Sequence, residues 1–517
     1  MDSKYLSEDF RRTQPIPAEY KAKANYIKRY KPYEPDQMLF IEFNPARSFS
    51  KGSFERFIVD TMQEIDISDF IMEEGKDEGG PEGYNPRAML AVLFYAYADG
   101  MFSSRRIAKL CLHDMRYIFI SGYTAPEHST ISRFINTNKE AIKNIFVQVL
   151  YIANNLGFID YKMIATDGSK IKANAATKYT GTIEDFKKKL ERLEKKITLA
   201  IKKQQETDKT DEKEYWGKKE ERYRKNKEKI DEFLKEAKPL YTKKGKEIKQ
   251  NITDKDCKLM RNQGSIQESY NANISTDNKH AIILANEVTN VSDDTWMFQP
   301  LIEQSIENVP DYKKQKAKQA KFLNDAGYYA MDNLLYCEEN NIDAYLPDTQ
   351  DRNLYSDSES NDKVRLSTSI RCEVKLHQGK TRIICKGGQV LEKLDKQRIE
   401  AGNLTYIFVP PDSTKCLNCK NQNECMAKVQ NRKEFKMKAK IFDNWYLVEK
   451  MRAKLKAEKG RMIYSRRMPT IEKIFGHIKK NMGCIRFRVR GIEKVKTEWS
   501  MICTVYNLKR IFNLKTA

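Results

Sequence analysis

Between residues 182 and 249, 39 of 68 positions are Asp, Glu, Lys or Arg, and a stretch so charged cannot own a globular core. Any core this chain builds must therefore be assembled from segments on both sides of it. The stretch is not patternless. Ile183, Phe186, Leu190, Leu193, Ile197 and Ile201 recur at three- and four-residue steps, and Tyr223, Ile230, Phe233 and Ala237 follow further on. Two antiparallel helices zipped along a narrow apolar seam satisfy both facts. A single solvated helix is the plainer alternative.

The flanking segments differ in hydrophobic period. Residues 1–60 mix Pro, charge and aromatics around one apolar patch, Met38 to Ile41, and read as an extended arm. From Pro86, Met89, Leu90, Leu93, Phe94 and Tyr97 recur at helical spacing and stop at the Asp99-Gly100 turn. Ser103 or Ser104 can cap a second helix holding Ile107, Leu110 and Cys111. Ser129 can cap a long third helix running through Ile131, Phe134, Ile142, Ile145, Phe146 and Leu150. Residues 61–158 thus read as an all-α domain, and a helix-turn-helix or a plain bundle both fit.

The period then shortens. Met163-Ile164-Ala165 reads as a strand ending near Asp167-Gly168, and residues 269–276 and 280–288 as a strand pair joined at Asp277-Asn278. A helix around 296–308, a strand from Ala320 to Leu323, a helix over 330–340 and a short strand from Ala344 to Leu346 complete the series. Three strands, then helix, strand, helix, strand is the order of an RNase H-like core, a mixed α/β sheet flanked by helices. Residues 159–181 and 250–349 would form its first part and 441–517 its C-terminal part. Residues 182–249 would be a helical-hairpin insertion and 350–440 a small cysteine-rich one.

At 517 residues the chain predicts two to four structural units. Its 94 Lys and Arg against 72 Asp and Glu give a formal charge of +22, which favours a polyanionic partner, nucleic acid first among them. No run of eighteen apolar residues predicts a membrane span. The opening MDSKYLSEDFRRTQ lacks the apolar stretch of a signal peptide, so a cytoplasmic location with reduced cysteines is expected. Cys111 and Cys503 lie among apolar residues and read as packing thiols.

Cutting a phosphodiester at neutral pH needs a strong nucleophile and neutralised phosphate oxygens. Two divalent ions about 3.5–4 Å apart can supply both, and hard ions such as magnesium want carboxylates brought together from distant parts of the chain. Asp167 and Asp325 each close a predicted strand, and Glu472 falls on a C-terminal helix. Spacing alone would not single them out, because an acid at a strand end is more often a turn or cap residue.

A resemblance singles them out. The segment from Ile164 to Lys170 (IATDGSK) is similar to the first-aspartate block of bacterial insertion-sequence transposases. Asn324-Asp325-Ala326-Gly327-Tyr328, followed by the run from Asn341 to Pro347, resembles the second block. Glu472-x-x-Phe475-Gly476-x-x-Lys479, with Arg466 and Arg467 upstream, resembles the third, and the run from Pro126 to Phe134 resembles the N-terminal signature of these enzymes. The likeness runs from about residue 35 to the C-terminus, nearest to the insertion-sequence family numbered eleven eighty-two. It implies a DDE transposase with Asp167, Asp325 and Glu472 as catalytic acids, holding two Mg2+ or Mn2+ ions. It also implies double-stranded DNA as partner (terminal inverted repeats and target), joining of the 3′-hydroxyl to target DNA, and a homodimer or larger assembly on bacterial DNA. Arg466, Arg467 and Lys479 would hold DNA phosphates, and Ser129 and Arg133 would contact DNA from the N-terminal domain. One departure stands out: relatives often carry Arg four residues before the glutamate, where this chain has Met468, so Arg467 would serve one residue out of register. A same-fold nuclease that does not join strands and a non-catalytic DNA-binding derivative are the alternatives.

Two further patterns remain. Cys416-x-x-Cys419 with Cys425 six residues on is a metal-knuckle spacing in a polar loop; Cys385, where the family also has a cysteine, would complete a structural zinc site, with Cys372 as its rival. In Cys484-Ile485-Arg486-Phe487-Arg488-Val489-Arg490, alternation puts Arg486, Arg488 and Arg490 on one face of an extended segment, suited to a phosphate backbone or to a solvated edge. His128 and His477 are not expected to be metal ligands.

Overall fold

The structure, a computed structural model, describes residues 45–70, 83–242, 245–262, 264–348 and 445–516, with parts of 372–442. Residues 1–44 of the expected arm lie outside the described residues. Helix α1 (Phe54–Glu64) straddles the expected end of that arm and packs on the next helix.

Helix α2 (Pro86–Ala98) begins where the sequence predicts, with Pro86 at its first turn and the Asn85 side chain accepting from the Arg87 amide. It is apolar all round and almost wholly buried, so it is the axle of the N-terminal half. Around it lie α3 (Ser104–His113), α4 (Met115–Ile120), α5 (His128–Thr137) and α6 (Lys139–Asn155). The long helix expected from Ser129 to Leu150 is two helices. Asn138 leaves helical geometry (φ −104°, ψ 35°) and its side-chain amide donates to the Phe134 carbonyl. A side chain that bonds the preceding turn competes with the helix ladder and ends it.

The sheet begins with β1 (Met163–Lys172), which runs straight through Asp167-Gly168 instead of ending there. Short strands β2 (Thr180–Gly181) and β3 (Gln250–Asn251) pair at the base of the hairpin of α7 (Ile183–Glu206) and α8 (Thr210–Glu236). Two helices are present, as the seam implies. Phe186, Leu193, Ile230 and Phe233 make a small private core, with the Phe186 and Phe233 rings edge to face at 5.3 Å. A reciprocal capping box between Thr182 and Asp185 starts α7.

The chain returns through β4 (Lys258–Asn262), which the sequence did not announce, into the long β5 (Ser265–Asp277) and β6 (Ile283–Thr289). Then come α9 (Phe298–Glu307), α10 (Asp311–Lys318), β7 (Lys321–Leu323), α11 (Met331–Glu339) and β8 (Asp343–Tyr345). β1 pairs antiparallel with β5 and parallel with β7, which pairs parallel with β8. β6 and β4 both pair with β5.

Strands β9 (Cys372–His377) and β10 (Lys380–Cys385) form a hairpin; β11 (Glu392–Glu400), β12 (Asn403–Val409) and β13 (Ala439–Phe442) form a three-stranded sheet. Helices α12 (Trp445–Lys456), α13 (Glu458–Tyr464), α14 (Arg467–Gly476) and α15 (Ile492–Thr516) close the chain. α15 packs on β6, α2 and α6 together. Its Asn507 amide bonds both the N–H and the carbonyl of Ile283 at 2.8 Å, as a neighbouring strand would. No described helix is long and apolar enough to cross a membrane.

Candidate active site

Sheet register brings two of the expected acids together. Ala165 on β1 sits opposite Leu323 on β7 in parallel pairing. Asp167 and Asp325 each follow that pair by two residues, Asp167 within β1 and Asp325 just past the end of β7, and neighbouring strands usually lie about 4.8 Å apart. Asp325 turns the chain as the cap of a 3-10 turn, its Oδ1 accepting from the Gly327 amide at 2.6 Å. Asp167 Oδ1 accepts from the Gly168 amide at 2.8 Å.

Helix α14 lies against β1 and contributes the counter-charge. Arg467, only 9 % exposed, points Nη1 at Asp167 Oδ2, 3.4 Å away. Its Nε and Nη1 are buried without a hydrogen-bond partner. Burial pushes the Asp167 carboxyl up to about 6; Arg467 pulls it back, while the charges of Asp325 and Asp294 raise it. Lys479, further along, donates from Nζ to Ser169 Oγ at 2.6 Å, two residues from Asp167 on β1. Burial lowers its ammonium below the usual lysine range.

The other expected residues are placed as follows. Glu472 is exposed on α14, and no hydrogen bond or ion pair among the described residues holds it. Arg466 is exposed just before α14, whereas Arg467 turns inward to the carboxylate. Asp348, just past β8, is held in an ion pair with Arg452 at 2.9 Å. Ser129 lies at the exposed start of α5, its Oγ 3.3 Å from Glu127 Oε2, and Arg133 is exposed on the same helix. The segment 486–490 is not a regular strand: it touches β1 through one bridge, Lys172 with Arg486. There Arg486 Nη2 donates to Asn174 Oδ1 at 3.0 Å and Arg490 Nε to the Asn174 carbonyl at 2.9 Å, while Arg488 stays exposed.

Sequence reasoning missed the residues beneath the two aspartates. Asp294, in the loop after β6, accepts from Lys170 Nζ at 3.0 Å and from the Asn271 side chain. Tyr328 is fully buried and donates to Asn273 Oδ1 at 3.0 Å. Among 72 acids, nothing in the sequence sets Asp294 apart.

Of the expected zinc ligands, Cys385 ends β10, and Cys416 and Cys425 lie outside the described residues. Cys385 and Cys419 converge on Gly387: a Cβ there would stand 3.6 Å and 3.0 Å from their sulfurs. The Gln389 amide donates to Cys385 Sγ at 3.3 Å, and Cys372 pairs opposite Cys385 across the β9–β10 hairpin. Among the described residues, no three His, Cys, Asp or Glu side chains are gathered as a metal-holding group.

The sheet thus carries Asp167 near Asp325, with Arg467 turned toward Asp167. Residues 44–137 match a transposase domain family (DUF772), and residues 384–512 match the transposase DDE domain family. Together the two matches indicate an insertion-sequence DDE transposase. The second match spans Glu472, Lys479 and the cysteines from Cys385 to Cys425; Asp167 and Asp325 precede it. No curated protein matches the chain.

Proposed function

We propose that the protein cuts DNA at the terminal inverted repeats of an insertion sequence and joins the freed 3′-hydroxyl to target DNA, with Asp167, Asp325 and Glu472 as its catalytic acids. The observation that carries this reading is the parallel register that sets Ala165 opposite Leu323, two residues before Asp167 and Asp325, with Arg467 against Asp167. The strand order β6-β5-β1-β7-β8, antiparallel then parallel, supports an RNase H-like catalytic core.

Paired carboxylates, one of them buried beside a guanidinium whose Nε and Nη1 lack hydrogen-bond partners, suit a hard divalent cation such as Mg2+ or Mn2+. Asp167 and Asp325 would hold it, with Glu472 as the third acid. When bound, two such ions supply an activated water and a stabilised leaving oxygen. The chain's own groups do the rest. Arg467 and Lys479 hold the scissile phosphate, as fixed donors in a partly desolvated site. Arg466, Arg486, Arg488 and Arg490 track the DNA backbone, and Ser129 and Arg133 contact DNA from α5. A structural zinc ion would staple the insertion through Cys385, Cys416, Cys419 and Cys425. Two copies or more would hold the paired DNA ends in the cytoplasm.

The test uses the full chain and terminal-repeat DNA. Glu472→Gln, Asp167→Asn and Asp325→Asn should bind that DNA within about threefold of wild type, because phosphate contacts by basic residues supply most of the affinity. All three should fail to nick it with magnesium or manganese. Robust nicking by Glu472→Gln would remove the third acid from the mechanism; nicking without strand-transfer products in the wild type would favour a nuclease.

A further inference from the structure

Both aspartate blocks carry a glycine close behind the acid, Gly168 and Gly327, and one side chain stands against both. A Cβ on Gly168 would collide with Asn273 Oδ1 and come within 3.1 Å of Asp294 Oδ1 and Asn271 Oδ1. A Cβ on Gly327 would lie 2.8 Å from Asp325 Oδ1 and 3.3 Å from Asp294 Oδ2. The glycines thus make room for a third carboxylate wedged between the β1 strand and the Asp325 turn.

That carboxylate is fixed from several directions. Lys170, on β1 three residues after Asp167, pairs with Asp294 at 3.0 Å, both side chains largely buried. Asn271 on β5 donates to the same oxygen. The loop itself is tied to the Asp325 turn by buried Asn333, whose Nδ2 donates to the Thr295 carbonyl at 3.0 Å and the Tyr328 carbonyl at 2.8 Å. Asn271 is fully buried, and its own Oδ1 has no partner. A packed hydrophobic side chain would fill this gap at lower desolvation cost than an ion pair. A carboxylate here serves instead to fix position and charge.

We infer that Asp294 is a positioning residue for the aspartate pair: it sets the spacing of the Asp167 strand and the Asp325 turn, and adds the negative charge that strengthens divalent-cation binding there. This rests on reading Asp167 and Asp325 as a cation-binding pair. Groups that orient metal ligands from behind commonly change metal affinity by about 10–100-fold when removed.

The probe is MnCl2, and the readout is its effect on the melting temperature of the full chain, since an ion that binds only the folded state raises it with concentration. Asp294→Asn keeps the shape and removes the charge. Its metal-free melting temperature should fall, because Lys170 loses its largely buried partner, while the Mn2+ concentration giving half the maximal shift, read against the variant's own metal-free value, rises about tenfold or more. Its DNA nicking should recover in excess Mn2+, which a merely misfolded site would not allow. Asp294→Ser serves as the second variant should the first fail to fold. A Mn2+ midpoint equal to wild type in a folded variant overturns the inference alone. A wild type whose melting temperature ignores Mn2+ overturns the cation-binding reading, and this inference with it.

Discussion

Glu498 on α15 is 3 % exposed and accepts from the backbone amides of Arg488 at 2.9 Å and Val489 at 3.3 Å. It therefore anchors the arginine segment from behind. Burial pushes its carboxyl from 4.5 up to about 7. A folded-state value above the unfolded one means the folded protein holds the proton more tightly. The stability this contributes is present below about 4.5 and is lost as pH rises through about 7, by up to about 3 kcal/mol. Glu498→Gln keeps an acceptor for the amides and cannot ionise, so its urea-unfolding stability should fall less than that of wild type between pH 5 and pH 8. Equal pH slopes for the two proteins would show that Glu498 does not titrate in this window. Nothing in the local sequence marks Glu498 as buried. Asp167-Gly168 shows the same blind spot: an Asp-Gly pair reads as a turn, but here Gly168 sits mid-strand. The side chains of Asn273, Asn271 and Asp294, up to 126 residues away in sequence, fill the space its Cβ would need.

At the scale of elements, what was legible is what periodicity controls. The apolar seam of residues 183–237 specifies two helices because only a partner can cover Phe186, Leu193, Ile230 and Phe233. The strands β1, β6, β7 and β8 were also visible as apolar runs between turn residues, and β5 as the segment 269–276 leading into the Asp277-Asn278 turn. β4 was not visible: Lys258, Arg261 and Asn262 give it no strand-like alternation, and its pairing with β5 holds it. The cysteine-rich insertion was read by motif rather than by pattern, and it makes its own prediction. A turn closed by a bond from the Gln389 amide to Cys385 Sγ, with Cys419 Sγ facing the same glycine, orients two sulfurs toward one point. Purified protein should hold one zinc per chain by elemental analysis, and Cys416→Ser and Cys419→Ser should lose it. Zinc-free wild type would end the idea. Retention by Cys385→Ser with loss in Cys372→Ser would move the fourth ligand to the facing strand of the hairpin.

At the scale of the whole molecule, the expected separation of helical domain and catalytic core meets one continuous apolar cluster, running from Ile58 on α1 through the sheet to Ile511 on α15. The described residues from 45 onward form a single compact unit. The join is made by α15, which the sequence shows only as an apolar C-terminal run whose partners are all distant. Its Trp499 is fully buried, donates to the Asn273 carbonyl at 3.2 Å, and packs against Phe475 of α14 and Phe487 of the arginine segment. One helix thus supports the β5 backbone beneath the aspartate pair, the helix carrying Glu472, and the N-terminal helices α2 and α6. Trp499→Ala removes a large buried ring and leaves a cavity, which should cost about 3–5 kcal/mol. If the two halves share one core, that loss must be felt in both. Proteolysis in rising urea should then release cleavage sites in residues 86–155 and in the sheet at the same lowered midpoint. Wild type should unfold in a single transition, with matching curves from probes in each half. A variant whose sheet melts early while residues 86–155 keep the wild-type midpoint would show two separable domains resting on one another, and α15 would then belong to the catalytic core alone.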